Sequence, residues 1–148
     1  MKGFTLIELI IVMGMLVIVA TLSVPFFQSF QVSSDLYTHA NTITKTLQRA
    51  QQQAITGQNN DAWGVYFDIA AKKIILFKGN NYASRQTDFD EIISYPQTFS
   101  VTTDFGNEIY FSLYSGQTAK TGTVNITSQN NQTRTIKIES NGLIQLNG

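Results

Sequence analysis

One carboxylate stands where elementary energetics argues against it. Glu8 is the only charge in Phe4 to Leu22 (FTLIELIIVMGMLVIVATL), a stretch that is otherwise almost wholly apolar. An acid at the centre of a hydrocarbon layer costs about 2.5 to 3.5 kcal/mol even on the mildest insertion scale, so it calls for a cationic partner. The flank supplies one. Cleavage after Gly3 of the short basic leader Met1-Lys2-Gly3 would leave Phe4 with a free amine four residues before Glu8. That amine, with an ordinary pKa of roughly 7.7 to 8.0, is largely protonated at neutral pH. Where chains stack side by side with an axial offset, the amine of one reaches the Glu8 of the next. Two such charges at 4 Å attract by roughly 4 kcal/mol at an effective dielectric of 20, less the cost of desolvating both. The chemistry implied is assembly.

Other reactive residue types are sparse. His39 is the single histidine, which excludes a multi-histidine metal site, and flanked by Tyr37, Thr38 and Ala40 on a helix it reads as a surface or interface side chain and not as a catalyst. Asp88, Asp90 and Glu91 form the one acidic cluster. Closely spaced carboxylates can ligate calcium, but the glycine spacing of an EF-hand is absent and a solvated loop is the simpler reading. Lys72 and Lys73 sit at a hairpin, where charge keeps a turn in water. Asn125-Ile126-Thr127 and Asn131-Gln132-Thr133 match a glycosylation sequon that is too common to decide anything. There is no cysteine, hence no disulfide and no thiolate metal site. No cofactor is called for, and no nucleophile or phosphate loop stands out. Enzymatic activity is not expected.

The elements that position these residues follow from periodicity. The 148 residues carry no formal net charge, which demands no polyelectrolyte partner and fits one modest domain plus an anchor. About 20 apolar residues suffice to cross a bilayer as a helix, so residues 4–25 read as a hydrophobic helix, with Lys2 weakly favouring a cytoplasmic N-terminus. A secretory signal is the competing reading, although Thr21-Leu22-Ser23 is a poor cleavage site. Over residues 26–57 the pattern turns amphipathic: Leu36, Ala40, Ile43, Leu47, Ala50 and Ala54 recur at spacings of four and three, on one helix face. Pro25 either kinks one continuous helix or separates two; the quick return of the pattern favours the kink. Gly57 and the polar run after it stop the helix. From 58 to 148 the period is two. Strands are expected at 63–68, 73–77, 91–95, 99–102, 108–113, 123–128, 133–139 and 143–146, separated by short turns that suit antiparallel pairing. The fold class is therefore α+β: a long kinked N-terminal helix whose C-terminal half packs on an antiparallel sheet.

Gly3-Phe4-Thr5-Leu6-Ile7-Glu8, followed by an apolar helix and Pro25, resembles the class III signal of type IV pilins and type II secretion pseudopilins. More loosely, Ile109-Tyr110-Phe111, Gly116, the strands through Ile126 and Ile138, and Asn141-Gly142-Leu143-Ile144 resemble the C-terminal domain of minor pseudopilins of the GspH/FimT type. The resemblance implies a pilin-like fold in which residues 1–3 are a leader removed by a prepilin peptidase and Phe4 is N-methylated, which keeps its charge. It further implies that Glu8 sets register against a neighbour's N-terminus and that Pro25 marks where the stem can extend. The implied partners are the peptidase, other pilin or pseudopilin subunits in a helical filament, an inner-membrane assembly platform, and the lipid bilayer before assembly. The implied location is the bacterial cytoplasmic membrane, single-pass, with the globular part outside the cytoplasm. A filament-tip binding module, for DNA uptake or secretion-substrate recognition, is the alternative. Relatives that resemble DNA receptors carry arginines after the C-terminal glycine; Gly142-Leu143-Ile144-Gln145 has none, which argues against nucleic acid. The missing cysteines depart from the many major pilins that close a C-terminal loop with a disulfide.

Overall fold

The computed structural model describes residues 3 to 147, with the side chains of 22 to 26 outside that description. The chain forms two compact units, residues 1–34 and residues 35–148. One helix, α1 (Leu6–Ile55), contributes to both, and it runs through Pro25 as a single kinked helix. Gly57 closes it in the left-handed conformation at φ 66° and donates its N–H to Ala54 O at 3.1 Å. Glycine bears that conformation without a Cβ penalty, the usual reason it follows the last turn.

Eight strands follow: β1 (Trp63–Asp68), β2 (Lys73–Lys78), β3 (Gln86–Ser94), β4 (Phe99–Thr103), β5 (Glu108–Phe111), β6 (Gly122–Ser128), β7 (Thr133–Ile138) and β8 (Ile144–Asn147). They build two antiparallel sheets of four strands, ordered β3-β2-β1-β5 and β4-β6-β7-β8. The single sheet anticipated from the sequence is thus divided in two, because β4 pairs with β6 rather than with β3, which precedes it. The strand positions read from the sequence match closely. The largest departure is β3, which begins at Gln86 because it restarts past an irregular register between Leu76 and Lys78 of β2. Residues 112 and 113 leave the strand pattern, as the chain turns at Tyr114 with φ 62°.

The core of the second unit lies among the helix stripe and both sheets. Leu36, Ala40, Ile43, Leu47, Ala50 and Ala54, the residues picked out by helical spacing, are each at most 2% exposed. They join Val65, Phe67, Leu76, Ile109 and Phe111 of one sheet and Val101, Val124, Ile126, Ile136 and Ile138 of the other in one hydrophobic cluster. Burying a large aliphatic or aromatic side chain contributes about 1.5 to 3 kcal/mol, so this cluster dominates the stability of the unit. Alanines at 40, 50 and 54 let the helix approach closely. Gly64 does the same in β1: a Cβ there would meet the Phe77 ring at 2.5 Å and Ile109 O at 2.6 Å.

Candidate functional site

The first unit is a helix with its apolar residues outward on every side. From Phe4 to Val19 each large apolar side chain is at least 51% exposed, and Phe27 and Phe30 are 70% and 73% exposed. A helix that is apolar all round needs surroundings other than water. Among the described residues no helix is long and apolar enough to cross a membrane. The apolar run read from the sequence continues into Leu22, whose side chain, like that of Pro25, lies outside the described residues. Met1 and Lys2, in the leader expected from the sequence, lie outside them too.

Glu8 sits in the first turn of α1 and is exposed, as are Gly3 and Phe4 before it. Its backbone N–H donates to Thr5 Oγ1 at 3.3 Å, and Leu9 N–H donates to Thr5 O at 3.3 Å. Thr5 is therefore the N-cap, and Thr5-Leu6-Ile7-Glu8 has the residue pattern of a capping box. This local role was missed in the sequence, where Glu8 was read only as an intermolecular group; the Thr-x-x-Glu spacing was the available signal. A carboxylate in the first turn also lies near the positive end of the helix dipole.

The acidic cluster is dispersed. Arg85 Nε bonds Asp90 Oδ2 at 2.7 Å, and Glu91 is held across the unit by Arg49 of α1 at 2.7 and 2.8 Å. Among the described residues no three carboxylates, histidines or cysteines come together to hold a metal ion. The sequence-level calcium candidates Asp88, Asp90 and Glu91 therefore do not converge. His39 packs against the Phe99 ring with centroids 5.1 Å apart, a tilted aromatic contact. Lys72 Nζ donates to Phe99 O at 3.0 Å.

Arg85 belongs to a second feature absent from sequence reasoning. Its guanidinium lies 3.8 Å from the Tyr82 ring, whose other face stacks on Tyr66 at 3.8 Å and 6°. Tyr82 N–H donates to Glu108 Oε2 at 2.9 Å. The β2–β3 loop is thereby folded over the first sheet, where Tyr82 also meets the buried Phe77 ring edge-on at 5.7 Å. Burial pushes the Tyr82 hydroxyl above its ordinary range even though Arg85 pulls the other way. Burial also raises that of Tyr95, with Asp68 adding to it.

At the far end of the helix, Gln51 Nε2 donates to Gly116 O at 3.2 Å, and Gly142 sits against both of these residues so closely that a Cβ would overlap them. Gln48, Gln51 and residues Asn141 to Ile144 line a groove of about 360 Å³ there.

No family model and no curated protein matches the sequence. Solved structures do. A structure of the minor pseudopilin EpsH from the type 2 secretion system of Vibrio cholerae is 14% identical, with a TM-score of 0.61 over 77% of this chain and 97% of that one. A second crystal structure of the same pseudopilin gives 13% identity and a TM-score of 0.61 over 78% and 94%. At such identity the likeness speaks to architecture, and it agrees with the pilin-like fold expected from the sequence. The chain has the pilin-like fold of a minor pseudopilin.

Proposed function

We propose that the chain is a structural subunit, a minor pseudopilin or pilin of a type IV pilus-like filament serving type II secretion or a related system. The observation that carries this reading is the junction Gly3-Phe4 with Glu8 in the first turn of an outward-apolar helix, joined to a globular unit of minor-pseudopilin fold. The subunit begins in the cytoplasmic membrane, with residues 4–25 in lipid and the globular unit outside the cytoplasm. A prepilin peptidase removes residues 1–3, and Phe4 is methylated at its new amine. The apolar stems then leave lipid for one another. Because lipid tails are as apolar as the stems, that exchange gives little net drive, and the ion pair between the Phe4 amine and a neighbour's Glu8 supplies register. A head-to-tail contact with axial rise does not close, so it propagates as a helix of subunits.

The experiment is a pair of substitutions in the native host. Gly3→Ala should persist as precursor, three residues heavier and unmethylated by intact mass. Glu8→Ala should be trimmed and methylated normally, yet incorporate into filaments at least tenfold less well. Trimmed Glu8→Ala that assembles at the parental level removes the registry role. Native protein that retains its initiator methionine removes the whole reading.

A second reading, a binding module at the filament tip, is favoured by one observation: the groove at Gln48, Gln51 and residues 141–144 in the globular unit.

A further inference from the structure

β8 is an edge strand of its sheet, with no strand on its far side among the described residues. The turn that leads into it fixes which backbone groups face that side. Gly142 N–H donates to Glu139 O at 2.8 Å and Glu139 N–H donates to Leu143 O at 3.0 Å, with Gly142 left-handed at φ 85°. This is a three-residue hairpin loop whose glycine makes the bulge, and it sets Glu139 opposite Leu143 as a hydrogen-bonded pair. Bonded and non-bonded pairs alternate along an antiparallel ladder. Ile138–Ile144 and Ile136–Leu146 are therefore non-bonded pairs. It follows that the N–H and C=O of Ile144, a residue 8% exposed, and of Leu146 point away from β7, toward the side on which no strand pairs among the described residues.

The groove of about 360 Å³ lies where this edge begins, lined by Ile144 and the turn residues Asn141, Gly142 and Leu143, the last 45% exposed, with Gln48 and Gln51 of α1 as its other wall. A strand edge facing a helix across a groove is the geometry in which an extended peptide adds to a sheet, its main chain giving affinity and its alternate side chains entering the groove. Among the described residues no charged side chain lines the groove, and the amides of Gln48, Gln51 and Asn141 both donate and accept. A charged ligand would find no counter-ion there, whereas an uncharged strand loses little on desolvation. One outer edge of the other sheet is built differently: β3 carries Asp88, Asp90 and Glu91, the kind of charge that keeps a free edge from pairing.

We propose that the β8 edge and its groove bind an extended, uncharged segment of a partner protein as a fifth strand on the sheet β4-β6-β7-β8. The proposal gives the tip-binding reading a ligand class, and it does not depend on filament assembly, since it concerns the single chain.

The test uses the full chain in detergent micelles, where stems are covered and filaments do not form. A synthetic library of nine-residue peptides, blocked at both ends, is screened for binding, and amide hydrogen exchange is read with and without the best peptide. Selected peptides should be uncharged and strand-forming, should bind with less than a twofold change between low and high salt, and should slow exchange at Ile144 and Leu146. Leu146→Pro deletes an outward N–H and should weaken binding at least tenfold without shifting the circular-dichroism melting midpoint by more than a few degrees. Should that variant unfold, the peptide carries the same question: N-methylation at alternate positions in one phase should abolish binding, and in the other phase should be tolerated. Any one of four results overturns the proposal: no peptide binds above a scrambled control, the selected peptides are charged and salt-sensitive, protection falls elsewhere, or both methylation phases bind alike. Protection of β8 by a second copy of the chain, seen as a dimer mass, overturns it as well.

Discussion

Thr5 and Glu8 show how one spacing serves two levels of organisation. Thr5 caps the helix, so removing its hydroxyl should cost about 1 kcal/mol of local helix stability. Thr5→Ala should therefore speed amide exchange in the first turn while leaving the carboxylate in place. Tyr95 is a sharper case. Its side chain is buried and its hydroxyl finds no hydrogen-bond partner among the described residues. An unsatisfied buried hydroxyl costs roughly 1 to 3 kcal/mol, so Tyr95→Phe should leave stability at neutral pH unchanged or raise it by about 1 kcal/mol in denaturant melts. The same hydroxyl titrates above its usual value because burial disfavours the phenolate. A group whose folded pKa is raised holds its stabilising effect below the unfolded pKa, near 10, and loses it as pH rises through the folded one. Stability should thus fall above about pH 10, and Tyr95→Phe should blunt that fall. Persistence of the full alkaline loss in the variant would assign it to other groups.

At the scale of elements, the helix stripe was legible because alternating spacings of four and three admit no strand. All six of its residues are in the core. The strands were legible because β-branched and aromatic runs alternate between turns as plain as Ser140-Asn141-Gly142. What stayed hidden depends on residues far apart in the chain. Nothing in Tyr66, Tyr82 and Arg85 taken singly announces a three-layer stack, and the division into two sheets rests on β1 pairing β5 and β4 pairing β6. Glu91 and Arg49 illustrate the same limit, since the cluster read from adjacent acids is dissolved by partners on other elements. The two arginine pairs should differ in consequence. Arg49–Glu91 is about half exposed, so Arg49→Ala should cost under about 1 kcal/mol. Arg85 also supports a ring and shields a carboxylate 14% exposed, so Arg85→Ala should cost about 2 kcal/mol and unpin the β2–β3 loop. Chemical denaturation of both variants would rank them. Gly142→Ala should cost more than either, about 3 kcal/mol, because it combines a left-handed backbone with overlap on Gln51 and Gly116.

For the whole molecule, the order of strands along the chain has a temporal meaning. β1, β2 and β3 lie in one sheet, β4 in the other, β5 returns to the first, and β6, β7 and β8 complete the second. Neither sheet is written in an uninterrupted run of sequence. As the chain is synthesised, β4 must wait, unpaired, until residues from 122 onward arrive, and the helix residues that seal the core are made first and covered last. Contacts of such long range are slow to form. On the proposed reading, a stem that settles in the bilayer early would keep the unfinished part tethered and apart from its neighbours during that interval, so that passage across the membrane as well as assembly would gain from having the greasy end come first.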